Sequence, residues 1–133
     1  MPSRPFVDTN VLLYLLSTDA AKATRAERLL SRRIVVSVQV LNEFANVARR
    51  KQSLDWDELK QALAGVRQFA DVRAVTVETH ERGLGLAQRY QLGLYDAMIA
   101  AAAIEAGCNT LMSEDFQAGQ VLADRLTIRN PFA

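Results

Sequence analysis

Between Tyr95 and Asp115 the chain reads YDAMIAAAAIEAGCNTLMSED. Asp96 is followed by eight uncharged residues, Ala97 to Ile104. A helix that is apolar on every side must be buried on every side, so the spacing predicts a core helix over Tyr95–Ala106. Gly107 ends it in the left-handed conformation that glycine adopts freely. Asn109–Ser113 then reads as a short buried strand, with Glu114 and Asp115 directly behind it. A buried helix delivering the chain into a buried strand is half of a βαβ unit.

The rest of the chain repeats that alternation. Strand Arg4–Val7 leads into a helix from Asn10 to about Ser17, and an Ala-rich helix runs from Asp19 to about Ser31. Strand Ile34–Ser37 precedes a helix over Val38–Lys51, whose apolar face is Val38, Leu41, Phe44, Ala45 and Ala48. Asp55 and Glu58 form a capping box for a helix reaching about Ala70. Strand Arg73–Val77, a helix from Thr79 to about Gln91, a short helix near Gln120–Asp124 and a last strand, Leu126–Arg129, complete the order. Strands alternating with helices imply a parallel sheet with right-handed crossovers. The expectation is one three-layer α/β domain spanning residues 1–133, without linker or repeat.

Composition narrows the class. Half of the 133 residues are hydrophobic and 23% are charged, as in an ordinary globular protein. No apolar run approaches a membrane span. The N-terminal apolar core, Val11–Leu16, is too short for a secretory signal and Asp8 interrupts it. Cys108 is alone, which excludes an intrachain disulfide and fits a reducing compartment. A cytoplasmic protein is expected. The net charge of +1 argues neither for nor against nucleic acid. Arg outnumbers Lys by 13 to 3, with clusters at Arg25/Arg28/Arg32/Arg33 and Arg49/Arg50. Arg forks suit phosphate oxygens, although a codon bias toward Arg explains the count equally well. His80 is the single histidine, which excludes a His-rich zinc site.

The acids carry the chemistry. Asp8 follows the first strand, and Glu114 and Asp115 follow Asn109–Ser113, at the carboxyl ends where open α/β sheets bind ligands. Asp96 opens the buried helix. Glu43 lies on the helix directly after Ile34–Ser37. Each has a plain alternative: Asp8 and Asp96 as helix caps, Glu43 on a solvated face with Gln39, Asn46 and Arg50. Like charges converging on one sheet edge repel unless a cation joins them. Carboxylates without His or Cys select Mg²⁺ or Mn²⁺, the usual apparatus for water attack on a phosphodiester. Carboxylates, metal and Arg together point to a nuclease.

The segments FVDTNVLLYLL, SVQVLNEF, YDAMIAAAAIEAGCNTLMSEDF and GQ…IRNPF, in this order and spacing, resemble the PIN-domain ribonucleases, specifically the VapC-type toxins of bacterial toxin–antitoxin pairs. The resemblance runs from Phe6 to Phe132. It implies a sheet of order 3-2-1-4 with an optional fifth strand, and an acidic metal-binding set of Asp8, Glu43, Asp96 and Asp115. Asp8 and Asp96 would be the main ligands of Mg²⁺ or Mn²⁺, with Glu43 and Asp115 serving a second ion or waters. Ser113, Asn10 and Thr9 would orient carboxylates or water, and Glu114 is an additional acid. The resemblance further implies an RNA substrate, a small antitoxin from a neighbouring gene and a homodimer. Two other classes stay in view. An aspartyl-phosphate receiver needs a Lys after a late strand, but the lysines are Lys22, Lys51 and Lys60; a haloacid-dehalogenase-type phosphatase wants Asp where Asn10 stands. A non-catalytic module, binding a basic partner through its acids, is separated only by a cleavage assay.

Overall fold

The computed structural model describes residues 4–132. In chain order the elements are β1 (Phe6–Val7), α1 (Thr9–Leu13), a 3₁₀ turn (Tyr14–Leu16), α2 (Ala20–Ser31), β2 (Ile34–Ser37), α3 (Val38–Lys51) and α4 (Trp56–Phe69). They continue with β3 (Ala70–Arg73), α5 (Val77–Tyr90), α6 (Leu94–Glu105), β4 (Thr110–Met112), β5 (Val121–Leu122) and β6 (Leu126–Arg129). The sheet order is β3-β2-β1-β4-β6-β5. All neighbours pair in parallel except β5 and β6. The first four positions match the order that the resemblance implied. β6 supplies the fifth strand, and β5 adds an antiparallel edge.

Successive crossovers carry the chain from β1 to β2 to β3, and then α5 and α6 return it to the other side of β1. Strand order therefore reverses between β1 and β4, which is where doubly wound sheets open a crevice for ligands. The sheet is flanked by helices because its strands are apolar on both faces: Phe6, Val7, Ile34, Val36, Leu111 and Ile128 are fully buried. Each such side chain contributes roughly 1.5–3 kcal/mol relative to exposure. All eight residues from Ala97 to Ile104 are buried, as their lack of charge requires. Cys108 is buried too, and burial pushes its thiol up to about 11, so it is an inert core group. Among the described residues no helix is long and apolar enough to cross a membrane.

Three local expectations shift. The strand expected at Arg73–Val77 lies earlier, at Ala70–Arg73, where all four residues pair with Ile34–Ser37. Thr76 instead caps α5 in a reciprocal box with Thr79, and Val75 and Val77 are exposed. The short helix expected near Gln120–Asp124 is β5 and a turn. Ala123 (φ 52°) and Asp124 (φ 56°) adopt left-handed backbone there, so Leu122 doubles back to pair with Leu126. The buried stripe of α3 is Val40, Phe44 and Ala48, while Val38 is exposed. That phase puts Glu43 beside the stripe rather than opposite it.

Candidate metal centre

Asp8 leaves β1 at the reversal of strand order. Its backbone N–H donates to the Met112 carbonyl at 2.9 Å, the last rung between β1 and β4. Its side chain is 2% exposed. Oδ1 accepts the Thr9 N–H at 2.7 Å, and Oδ2 accepts the Ser113 hydroxyl at 2.7 Å. The cap explanation for Asp8 therefore holds in part: one oxygen serves the start of α1. The other faces the end of β4.

Ser113 is fully buried. While donating to Asp8, its Oγ accepts the Asp115 N–H at 3.0 Å. One hydroxyl thus fixes the buried acid and the backbone of the second. The third, Asp96, sits in the first turn of α6, whose N-cap is Gly93. It is therefore not the cap that its position in the sequence also suggested. Asp8, Asp96 and Asp115 each present a carboxylate oxygen within 4.8 Å of the other two.

Burial is the largest influence on Asp8 and, with the charges of Asp115 and Asp96, outweighs the hydrogen bonds from Ser113 and Thr9. The carboxyl is pushed up to about 6. Asp96 is raised by its burial and then by the charges of Asp115 and Glu43. Among the described residues no cation forms an ion pair with these acids: the two ion pairs there, Arg73–Asp71 and Arg82–Glu105, lie elsewhere. All donors are hard carboxylate oxygens, so the cluster fits a divalent cation of the Mg²⁺ or Mn²⁺ kind better than zinc.

Glu43 lies outside the three-acid group but near it. The Thr9 hydroxyl donates to its Oε2 at 3.3 Å, and Gln39 Nε2 donates to its Oε1 at 2.7 Å. Gln39 Nε2 also reaches the Tyr95 carbonyl at 3.1 Å, tying α3 to the start of α6. Gln39 is the positioning residue that reading it as solvated overlooked; its i, i+4 spacing from Glu43 is the signal that could have found it. Glu114 is not part of the three-acid group. Its carboxylate lies by the Tyr14 hydroxyl, whose pKa it raises. The Glu114 N–H donates to Asn10 Oδ1 at 3.4 Å. Asn10 Nδ2 is buried with no partner among the described residues, a spare donor beside the site. Of the Arg clusters, Arg49 is occupied: it donates to the Leu54 carbonyl at 2.7 Å and stacks on Trp56 at 4.2 Å. Arg25 donates to the Pro131 carbonyl at 3.3 Å.

A mostly parallel sheet with an oxygen-only acid cluster at its strand-order reversal defines an α/β protein with a candidate metal site. The PIN domain family profile matches residues 6–121, and the chain belongs to that family. Among curated proteins, no sequence matches it. Several solved structures share its fold. VapC20 of Mycobacterium tuberculosis, described as a sarcin–ricin loop cleaving toxin, is 23% identical with a TM-score of 0.69, covering 90% of this chain and 98% of that one. A toxin–antitoxin complex from Klebsiella pneumoniae is 21% identical with a TM-score of 0.72, covering 96% and 97%. VapBC2 of Rickettsia felis, bound to a DNA fragment from its promoter, is 18% identical with a TM-score of 0.70, covering 96% and 98%.

Proposed function

We propose that this protein is a Mg²⁺- or Mn²⁺-dependent endoribonuclease that acts in the cytoplasm as the toxin of a toxin–antitoxin pair. The observation that carries this reading is the convergence of Asp8, Asp96 and Asp115 within 4.8 Å, with no ion-pairing cation among the described residues. Membership of the PIN family and the shared fold of toxins such as VapC20 support it.

Asp8, Asp96 and Asp115 hold the cation. When bound, it neutralises charge growing on the phosphate oxygens and lowers the pKa of water. Ser113 keeps Asp8 oriented and Thr9 holds Glu43, as outer partners of a metal site do. Glu43, presented by Thr9 and Gln39, orients the attacking water. Asn10 Nδ2, the spare donor, holds water or a phosphate oxygen. No residue of the chain forms a covalent intermediate in this scheme.

The test is RNA cleavage by the purified chain. Cleavage with Mg²⁺ or Mn²⁺ that stops in EDTA is expected, and undiminished cleavage in excess EDTA rules the metal mechanism out. The toxin role implies a small antitoxin encoded nearby, and a second copy of the chain as a further partner. Co-expression with the neighbouring small protein should relieve growth arrest and yield a co-purifying complex. Harmless expression of this chain alone, with no binding by the neighbour, would remove the toxin role.

A further inference from the structure

We infer that the apolar pocket beside the acids receives one unpaired base of the RNA, next to the phosphodiester that is cut, with Tyr95 as its stacking surface. This deepens the nuclease reading and rests on it. The pocket has a volume of about 470 Å³ and is lined by Val38, Gln39, Asn42, Glu43, Val75 and Tyr95, a size usual for small-ligand sites. No cation lines it, so a phosphate is not its natural occupant. Apart from the Glu43 carboxylate its walls are apolar or amide, which suits a heterocycle that is flat, apolar on its faces and polar at its edge.

Position links the pocket to the chemistry. Glu43 forms part of its wall, and Tyr95 precedes Asp96 in α6. Gln39 Nε2 holds both Glu43 and the Tyr95 carbonyl, so the stacking residue and the acid are fixed to one another. Tyr95 is nevertheless 73% exposed. A large aromatic ring kept in water at the lip of a charged site is a platform awaiting a flat partner, the way unpaired bases are held on aromatic side chains. Asn42 makes no side-chain hydrogen bond to any described residue, leaving its amide for the base edge. A second copy of the chain over this patch fits less well. It would have to bury that amide and Glu43 against apolar surface, which is costly without partners. A base edge offers donors and acceptors instead.

The experiment compares wild type, Tyr95→Ala and Tyr95→Phe on a single-stranded oligoribonucleotide with Mn²⁺, using intact substrate and versions carrying one abasic ribose at successive positions. Tyr95→Ala should raise KM roughly five- to 150-fold, the range for loss of one base–aromatic stack, with kcat little changed. Tyr95→Phe should keep the wild-type KM. An abasic ribose at one position flanking the cut should cost wild type the same factor and cost Tyr95→Ala nothing more. An unchanged KM in Tyr95→Ala overturns the inference, as does an equal loss on intact and abasic substrates. A lowered sedimentation mass in Tyr95→Ala also overturns it and assigns the patch to contact between copies. If wild type cleaves no RNA, the nuclease reading is what fails, and the pocket is then read by binding. An oligoribonucleotide carrying a fluorescent base analogue should be quenched by wild type and not by Tyr95→Ala; equal quenching by both rejects the pocket.

Discussion

Replacing Asp8 by Asn should abolish RNA cleavage and at the same time raise the melting temperature of the metal-free protein above pH 6. Loss of an outer partner of a metal ligand typically costs 10–100-fold in activity. A ligand itself should cost more, so the fall should exceed about a hundredfold. The stability gain follows from the Asp8 carboxyl, which burial pushes from 3.8 up to about 6. A folded-state value above the unfolded one means that stability is fully present below 3.8 and is lost as pH rises through about 6. At pH 8 the wild type has lost it all, on the order of 2–3 kcal/mol at 1.36 kcal/mol per unit. Asn carries no charge. It still accepts from Thr9, and its amide donates to Ser113 Oγ in place of the reversed bond, so most of that loss is avoided. The net gain should be about 1–3 kcal/mol at pH 8 and should vanish near pH 3.5. A residue that only capped α1 behaves otherwise. Asp→Asn at a cap is nearly neutral at every pH, and Asp→Ala costs about 1 kcal/mol throughout. Melts of the three proteins in EDTA at pH 3.5 and pH 8, beside a cleavage assay, separate the two. Equal melting of wild type and Asp8→Asn at pH 8 would leave Asp8 as a cap alone.

The parts of this chain that were readable as sequence are those where one local cause dominates. Ala97–Ile104 carries no charge and so is buried; Gly107 has φ 77° where a helix needed a left-handed stop. The Asp55–Glu58 capping box forms as its spacing indicates. Where two causes compete, local reading misplaced the element. Val75 and Val77 have strand propensity, but β2 is only four residues long and Ala70–Arg73 already fills it. The surplus valines go to a loop and to the first turn of α5. The turn at Ala123–Asp124 was hidden because left-handed backbone there falls on residues other than glycine, so no residue type announced the hairpin. The site shows the same division. Carboxylates at strand ends were visible as Asp8 and Asp115, because topology puts strand ends together. Gln39 and Tyr95 were not, because their importance depends on α3 meeting α6 across the site, a tertiary contact that periodicity does not encode.

Mn²⁺ should stabilise the wild type and Glu43→Gln alike, while Asp96→Asn and Asp115→Asn lose most of the effect. Binding to the folded state alone stabilises by RT ln(1 + [L]/Kd), about 2.7 kcal/mol at a hundredfold excess over Kd. That stabilisation belongs to the atoms that hold the ion. Asp8, Asp96 and Asp115 each offer a carboxylate oxygen within 4.8 Å of the other two, and burial together with the neighbouring charges raises the pKa of Asp8 and of Asp96. Removing one of the three deprives the ion of a ligand. Glu43 stands differently, with both oxygens engaged by Thr9 and Gln39. Glu43→Gln preserves an acceptor for Thr9 and removes a charge that acts on Asp96 from outside the group. The metal should still bind, but cleavage should fall about 10–100-fold, as for outer partners of metal sites. Thermal melts with and without Mn²⁺ at fixed protein concentration, paired with cleavage rates, read the two effects separately. If Glu43→Gln loses as much Mn²⁺ stabilisation as Asp96→Asn, the four acids act as one ligand set and the three-plus-one division drawn from the geometry is wrong.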